Sequence, residues 1–322
     1  MTLNNSYINL KQKILEIIEN QGDIGIFASH PNSGYGFTYN GEKKFEMASI
    51  YNLPIAIHCL KLVEAAKLDL EQNITISPRD QRPGTDLAKP LILTEEDRKN
   101  YSLKELLKLM MQYSDNTATD IILHLIGGPK AVMKTIEAIG IRDLRVDHSI
   151  YKFLTQQIGA SHLISREDFT IAKFNEIEKS MTTEQLDVAS LKYEKAGNDT
   201  ATPRAIGTLL TKLVQGKILN KSSTKILLDF MAACKTFPKH ISGLLPEDLV
   251  ICRKTASISH IANDVAIIDL PNGPFILVIF CCHLHNKNSE EKDRLIALIA
   301  KAVYDDLIGI DKTHAPEPLT KQ

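Results

Sequence analysis

The sequence predicts an α/β (α+β) fold, with one antiparallel sheet built from both chain termini and an all-helical lobe between them. Three observations carry this expectation. Strand-like runs lie near the two ends, at residues 24–28, 35–39, 249–253, 263–270 and 275–282. The long middle shows apolar residues at helical spacing instead. A tight turn at Pro271-Asn272-Gly273 joins two strongly apolar segments, the signature of a hairpin. Strands at both ends with helices between suggest a sheet closed by the termini.

The elements follow in order. Ile8, Leu10, Ile14, Leu15, Ile17 and Ile18 alternate with charged residues and predict a first amphipathic helix. Residues 24–28 and 35–39 flank the turn-rich 30–34 and read as a hairpin. Residues 53–66 are apolar on nearly every face, so this helix belongs in the interior. Pro54 is tolerated only in its first turn, which places Ser49 to Asn52 at the helix start. Residues 71–100, punctuated by Pro78, Pro83, Gly84 and Pro90, read as a long surface loop. Ser102 and Glu105 form a capping-box pattern ahead of Leu106, Leu107 and Leu109. A helix begins after Ser114-Asp115-Asn116 and stops at Gly127-Gly128-Pro129, and another covers 130–139. Helical patches at 166–179 and 183–195 have no clean boundaries. Thr202-Pro203-Arg204 opens a helix, 223–234 forms a further one, and 290–307 forms the last. The expected division is an α/β lobe from 1–48 and 205–322. The expected helical lobe is 49–204, with an extended omega-like region at 148–200.

Bulk properties narrow the function. With 38 basic and 39 acidic residues the net charge is −1, so no global field draws the chain to nucleic acid or an anionic membrane. The amphipathic first helix lacks the continuous apolar core of a secretion signal, and no run reaches the ~20 apolar residues of a membrane span. A cytoplasmic, non-membrane protein is expected. The five cysteines (59, 234, 252, 281 and 282) have neither an even count nor zinc-like spacing and are expected as free, partly buried thiols. Cys281, His283 and His285 alternate at a strand end, but structural roles are expected there and no metal or cofactor is predicted. Arg145-Val146-Asp147-His148 reads as a salt-bridged turn.

Three motifs suggest chemistry. Ser49-Ile50-Tyr51-Asn52 precedes the buried helix, Ser114-Asp115-Asn116 lies about 65 residues on, and Lys254-Thr255-Ala256-Ser257 begins the C-terminal strands. In this order the motifs resemble the S-x-x-K, S-D-N and K-T-G elements of class A β-lactamases and penicillin-binding proteins. Residues 197–204 resemble the segment after that family's omega loop. The likeness runs from about 22 to 307 and fades in 148–195.

The resemblance implies a β-lactamase/transpeptidase-like fold and a serine nucleophile at Ser49. Serine at a helix start gains the favourable field of the N-terminus, and a residue three positions on shares its face. The family keeps a lysine there to take the hydroxyl proton; Asn52 stands in its place and accepts no proton at neutral pH. By the same resemblance Lys254 bonds Ser114, and the pair could relay a proton from Ser49 if the lysine pKa is depressed. The backbone N–H groups of Ser49 and Ser257 would form the oxyanion hole, with Asn116 and Thr255 on the substrate amide and carboxylate. Ala256 adds a methyl where the family keeps glycine. Glu167, Glu176, Glu178, Glu184 and Glu194 are the candidates for activating water, none in the family's E-x-x-L-N pattern.

Plainer roles compete: Ser49 and the 114–116 segment as helix caps, and Lys254 as a solvated strand residue. Two functions stay open at this point. One is an impaired serine hydrolase or acyl-enzyme former on amide, ester or β-lactam substrates. The other is a non-catalytic protein binding a peptide-like or carboxylate ligand in the same cleft. A glutaminase-like amidohydrolase ranks third because it too needs the lysine. The expected partner in each case is a small-molecule or peptide-like ligand.

Overall fold

The computed structural model describes residues 3–84, 98–258, 260–286 and 288–314. Helix α1 (Leu3–Ile18) leads into strands β1 (Asp23–His30) and β2 (Tyr35–Tyr39), then the two-residue β3 (Phe45–Glu46). A 3-10 turn over Ala48–Tyr51 runs directly into α2 (Asn52–Glu64). After it come β4 (Asn73–Ile76), β5 (Lys99–Ser102), α3 (Leu103–Gln112), α4 (Asn116–Leu125) and α5 (Gly128–Ala138). The middle continues with α6 (Ile150–Gln157), α7 (Ile171–Ser180), α8 (Thr183–Lys195), β6 (Thr200–Ala201), α9 (Pro203–Val214) and α10 (Lys221–Ala232). The chain then closes with β7 (Ile251–Ile258), β8 (Ile261–Leu270), β9 (Gly273–Cys282) and α11 (Ser289–His314).

The main sheet has five strands in the order β2-β1-β9-β8-β7, every pairing antiparallel. The sheet therefore does join both ends of the chain, through the β1–β9 ladder that sets Ile26 opposite Ile279. The predicted hairpin is present, with Pro271 and Asn272 between the paired Leu270 and Gly273. Gly273 has φ +119°, a conformation that favours glycine.

Strand β9 explains why its sequence is apolar without alternation. Phe275, Leu277, Ile279 and Cys281 enter a core under α1 and α11, while Ile276, Val278, Phe280 and Cys282 enter the larger core shared with the helices. A strand covered on both faces has no polar side to show. On β1, Gly25 faces the second core, where a Cβ would lie 2.4 Å from the Phe45 ring. That close approach seats β3, and so the turn carrying Ser49, against the sheet.

Helix α2 is buried from Asn52 through Leu60, with Pro54 in its first turn. The Ser102 cap forms as expected, its Oγ accepting from Glu105 N at 3.2 Å. Two regions differ from the sequence reading. The stretch read as a loop carries a two-stranded hairpin, Asn73 opposite Ser102 and Ile76 opposite Lys99; residues 85–97 of that stretch lie outside the described residues. In the 148–200 region the two helical patches are present as α7 and α8, and what the sequence reading lacks is α6 and a small core around Ile158, Ile164, Phe169 and Phe174. The Arg82 guanidinium sits 4.7 Å from the centre of the Phe169 ring and bonds Asp120 at 2.9 Å, which ties this region to α4.

All five cysteines are free. Cys281 points into the core, His283 bonds Asp23 and Glu194, and His285 Nδ1 meets Asn20 O at 2.9 Å. The three face different surroundings because His283 has φ +53°, which breaks the strand alternation. Among the described residues no helix is long and apolar enough to cross a membrane.

Candidate active site

A cleft of about 230 Å³ opens between β7, the turn before α2 and the α6–α8 region. This is a size for a small molecule or a peptide end. Ser49, Ser114, Asn116, Thr255 and Ser257 all line it. Residues separated by more than 200 positions in sequence thus converge on one space.

Ser49 sits on a firmly held turn. Met47 N donates to Asp199 O at 3.0 Å, and Asn263 Nδ2 on β8 donates to Glu46 O at 2.9 Å and to Met47 O at 3.2 Å. Asn263 Oδ1 also accepts from Cys281 N at 3.0 Å. Ala48 takes φ +44°, a left-handed conformation that strains a residue with a Cβ. Of nine non-glycine residues with positive φ among those described, four line this cleft: Ala48, Ser114, Asp199 and Phe237. Strain of this kind concentrates where geometry serves function. Asn263→Ala is expected to cost about 1–3 kcal/mol by orphaning buried carbonyls, read as a lower denaturant midpoint.

Asn52 faces elsewhere. Its Nδ2 donates to Met110 O at 3.2 Å, it is 1% exposed, and it does not line the cleft. Its Oδ1 is buried with no hydrogen-bond partner among the described residues. The amide has turned into the helical core to hold α3.

The 114–116 segment divides its duties. Asp115 is the cap of α4, accepting from Ala118 N at 2.7 Å, and burial pushes its carboxyl up to about 6. Ser114 and Asn116 on either side turn to the cleft, where Asn116 Nδ2 donates to Pro83 O at 2.7 Å. Lys254 is fully buried, and its Nζ donates to Ser114 Oγ at 2.9 Å and to Thr255 O at 2.8 Å. Burial lowers its pKa to about 8. It is no solvated strand lysine.

Farther along β7, Thr255 Oγ1 bonds Thr236 Oγ1, and Ser257 Oγ accepts from Lys292 Nζ at 3.2 Å. Ala256 between them, 2% exposed, also lines the cleft.

The far wall is a polar group that sequence reasoning missed. Asp199 accepts His148 Nδ1 at 2.8 Å and Tyr193 OH at 2.7 Å on one oxygen. The other oxygen accepts Asp147 N at 2.7 Å and His148 N at 3.2 Å. The expected Arg145–Asp147 pair forms at 2.7 Å, but His148 leaves that turn for Asp199 and lines the cleft. Glu46 lines it too. Burial first, then the charges of Asp199 and Glu194, push the Glu46 carboxyl up to about 7, with His283 acting against them. None of Glu167, Glu176, Glu178, Glu184 and Glu194 lines the cleft.

The β-lactamase enzyme family matches this chain over residues 9–307. The chain belongs to that family. Among curated β-lactamases it is 26% identical to VEB-1 of Pseudomonas aeruginosa, covering 92% of this chain and 90% of that one. It is 26% identical to SME-1 of Serratia marcescens, covering 86% of this chain and 81% of that one. The crystal structure of a β-lactamase from Chitinophaga pinensis superposes with a TM-score of 0.73 at 25% identity, covering 93% of this chain and 99% of the other. The match extends through 148–195, where the motifs fade. Set against the motifs it resembles, the sequence carries asparagine at position 52, alanine at position 256 and no E-x-x-L-N pattern.

Proposed function

We propose that this β-lactamase-family protein is a serine hydrolase that forms an ester at Ser49 with amide or β-lactam-type substrates, slowed by the loss of the partner lysine. The observation that carries this reading is the Lys254–Ser114 contact, 2.9 Å long, in the cleft that Ser49 lines. A serine hydroxyl attacks a carbonyl well only when a base receives its proton. A buried amine with a pKa of about 8 is partly neutral at neutral pH and therefore able to accept one. The Ser49 proton passes to Ser114 Oγ as the Ser114 proton passes to Lys254 Nζ. The same two groups then return a proton to the departing nitrogen. Backbone N–H groups of Ser49 and Ser257 receive the developing oxyanion, and Asn116 and Thr255 position the substrate. Direct activation through Asn52 has no part in this route.

The Asn52 side chain, turned to Met110 O, favours one competing reading. In it the cleft binds a peptide-like or carboxylate ligand reversibly and no ester forms. Intact mass spectrometry with benzylpenicillin and a fluorophosphonate probe separates the two. The hydrolase reading expects a covalent adduct in the wild type and none in Ser49→Ala. Reversible binding that survives Ser49→Ala, without an adduct after hours, overturns it.

A further inference from the structure

We propose that Glu46 is the general base for hydrolysis of the Ser49 ester, taking a proton from the water that attacks the acyl carbon. This rests on the acyl-enzyme reading above and supplies its missing second half.

Among the described residues two carboxyls line the cleft, Glu46 and Asp199. Asp199 is already filled. It accepts four hydrogen bonds, from Asp147 N, His148 N, His148 Nδ1 and Tyr193 OH, which occupy the roughly four acceptor sites of a carboxylate. Its work is to hold the wall together. Glu46 is the opposite case: Oε1 is buried and has no hydrogen-bond partner among the described residues. A buried oxygen without a partner costs free energy, and here it belongs to a residue that lines the cleft, which points to a use.

The position of Glu46 is as constrained as that of the nucleophile. It lies three residues before Ser49, its carbonyl is held by Asn263 at 2.9 Å, and it pairs with Thr200 across β3–β6. The backbone that carries the carboxyl and the hydroxyl is therefore one firmly held segment, which general-base catalysis needs. The groups facing Glu46 are Glu194 and Tyr193 on α8, Asp199 before β6, and Cys282 and His283 at the end of β9, with Tyr51 beyond Tyr193 on the same cleft. Their net effect with burial leaves the carboxyl near 7, able to accept a proton and give it back.

The step balances. A water oxygen bonds to the acyl carbon as its proton moves to the Glu46 carboxylate, giving a tetrahedral oxyanion and a neutral carboxylic acid. The carbon–Oγ bond then breaks, Ser49 Oγ takes the proton back from Glu46, and the acid product leaves.

The test uses the full chain and benzylpenicillin, with free drug removed and the Ser49 adduct followed by intact mass. Glu46→Gln is expected to acylate within about threefold of wild type and to keep its adduct about 100-fold longer. Wild-type adduct loss should slow as pH falls through about 7, because the base is active only when ionised, and this limb should vanish in Glu46→Gln. A purely structural glutamate would not move a pH limb. Equal adduct lifetimes in the two proteins overturn the Glu46 assignment and leave the acyl-enzyme reading standing. Absence of any wild-type adduct overturns the acyl-enzyme reading itself. If Glu46→Gln fails to fold, the wild-type profile decides, and a flat profile from pH 5 to 9 overturns the assignment.

Discussion

Replacing Lys254 with methionine is expected to slow Ser49 acylation about 10³–10⁴-fold, the upper range for loss of a proton-transfer group. The reason is that Lys254 is the amine in contact with Ser114, and Asn52 supplies no substitute. Methionine is chosen because it fills the space of a fully buried side chain without leaving a charge. The substitution also removes the bonds to Ser114 Oγ and Thr255 O, at an expected cost of about 1–3 kcal/mol. A loss of rate of about 10³-fold in a variant whose denaturant curve shows it still folded at the assay condition reports chemistry, because a lower midpoint alone leaves the folded fraction near one. The wild-type acylation rate carries a second signature. Lys254 is a base only when neutral, so the rate should rise with pH and level off above about 8. The rate constant comes from the rise of the adduct in intact mass spectra taken across pH 6–10. Acylation of Lys254→Met within tenfold of wild type, with the same profile, would remove the relay from the mechanism.

What the sequence revealed, and what it hid, follows from the range of the interactions. The β8–β9 hairpin was readable because its turn and both its strands are contiguous. The burial of α2 was readable because nine successive residues from Asn52 are buried, leaving no polar stripe. Convergence of Ser49, Ser114 and Lys254 was expected only through resemblance, since no local rule links residues so far apart. The β4–β5 hairpin escaped because its partners lie more than 20 residues apart with proline-rich chain between. In 148–200 the helices pack on a small core of their own, and their exposed faces blur the apolar period. Val188 is 60% exposed and Leu191 51%, so apolar residues there do not mark a buried face. Glu46 left one faint trace, a charge between the buried Phe45 and Met47 immediately ahead of the nucleophile. His148 is legible as part of a charged turn, but not its pairing with Asp199, 51 residues away.

Restoring the lysine is the strongest positive test of the scaffold. Asn52→Lys is expected to raise Ser49 acylation by about 10²–10⁴-fold, the inverse of losing a general base. Position 52 lies three residues after Ser49 where the 3-10 turn becomes α2, and a lysine, longer than the amide that turns to Met110 O, is expected to extend back to the hydroxyl. The site is 1% exposed, and such burial lowers a lysine pKa, which supplies a neutral amine near physiological pH. Folding bears the opposite sign. The Asn52 bond to Met110 O is lost and a longer side chain enters a packed core, costing about 1–3 kcal/mol. Faster acylation in a less stable protein is therefore the expected pair of results, read from adduct formation and a denaturant midpoint. If Asn52→Lys folds, binds benzylpenicillin and still acylates no faster, the obstacle lies in the cleft itself. Ala256, a cleft-lining residue of β7, would then be the first to replace with glycine. If both changes together leave Ser49 inert, the cleft is a binding site and the acyl-enzyme route falls.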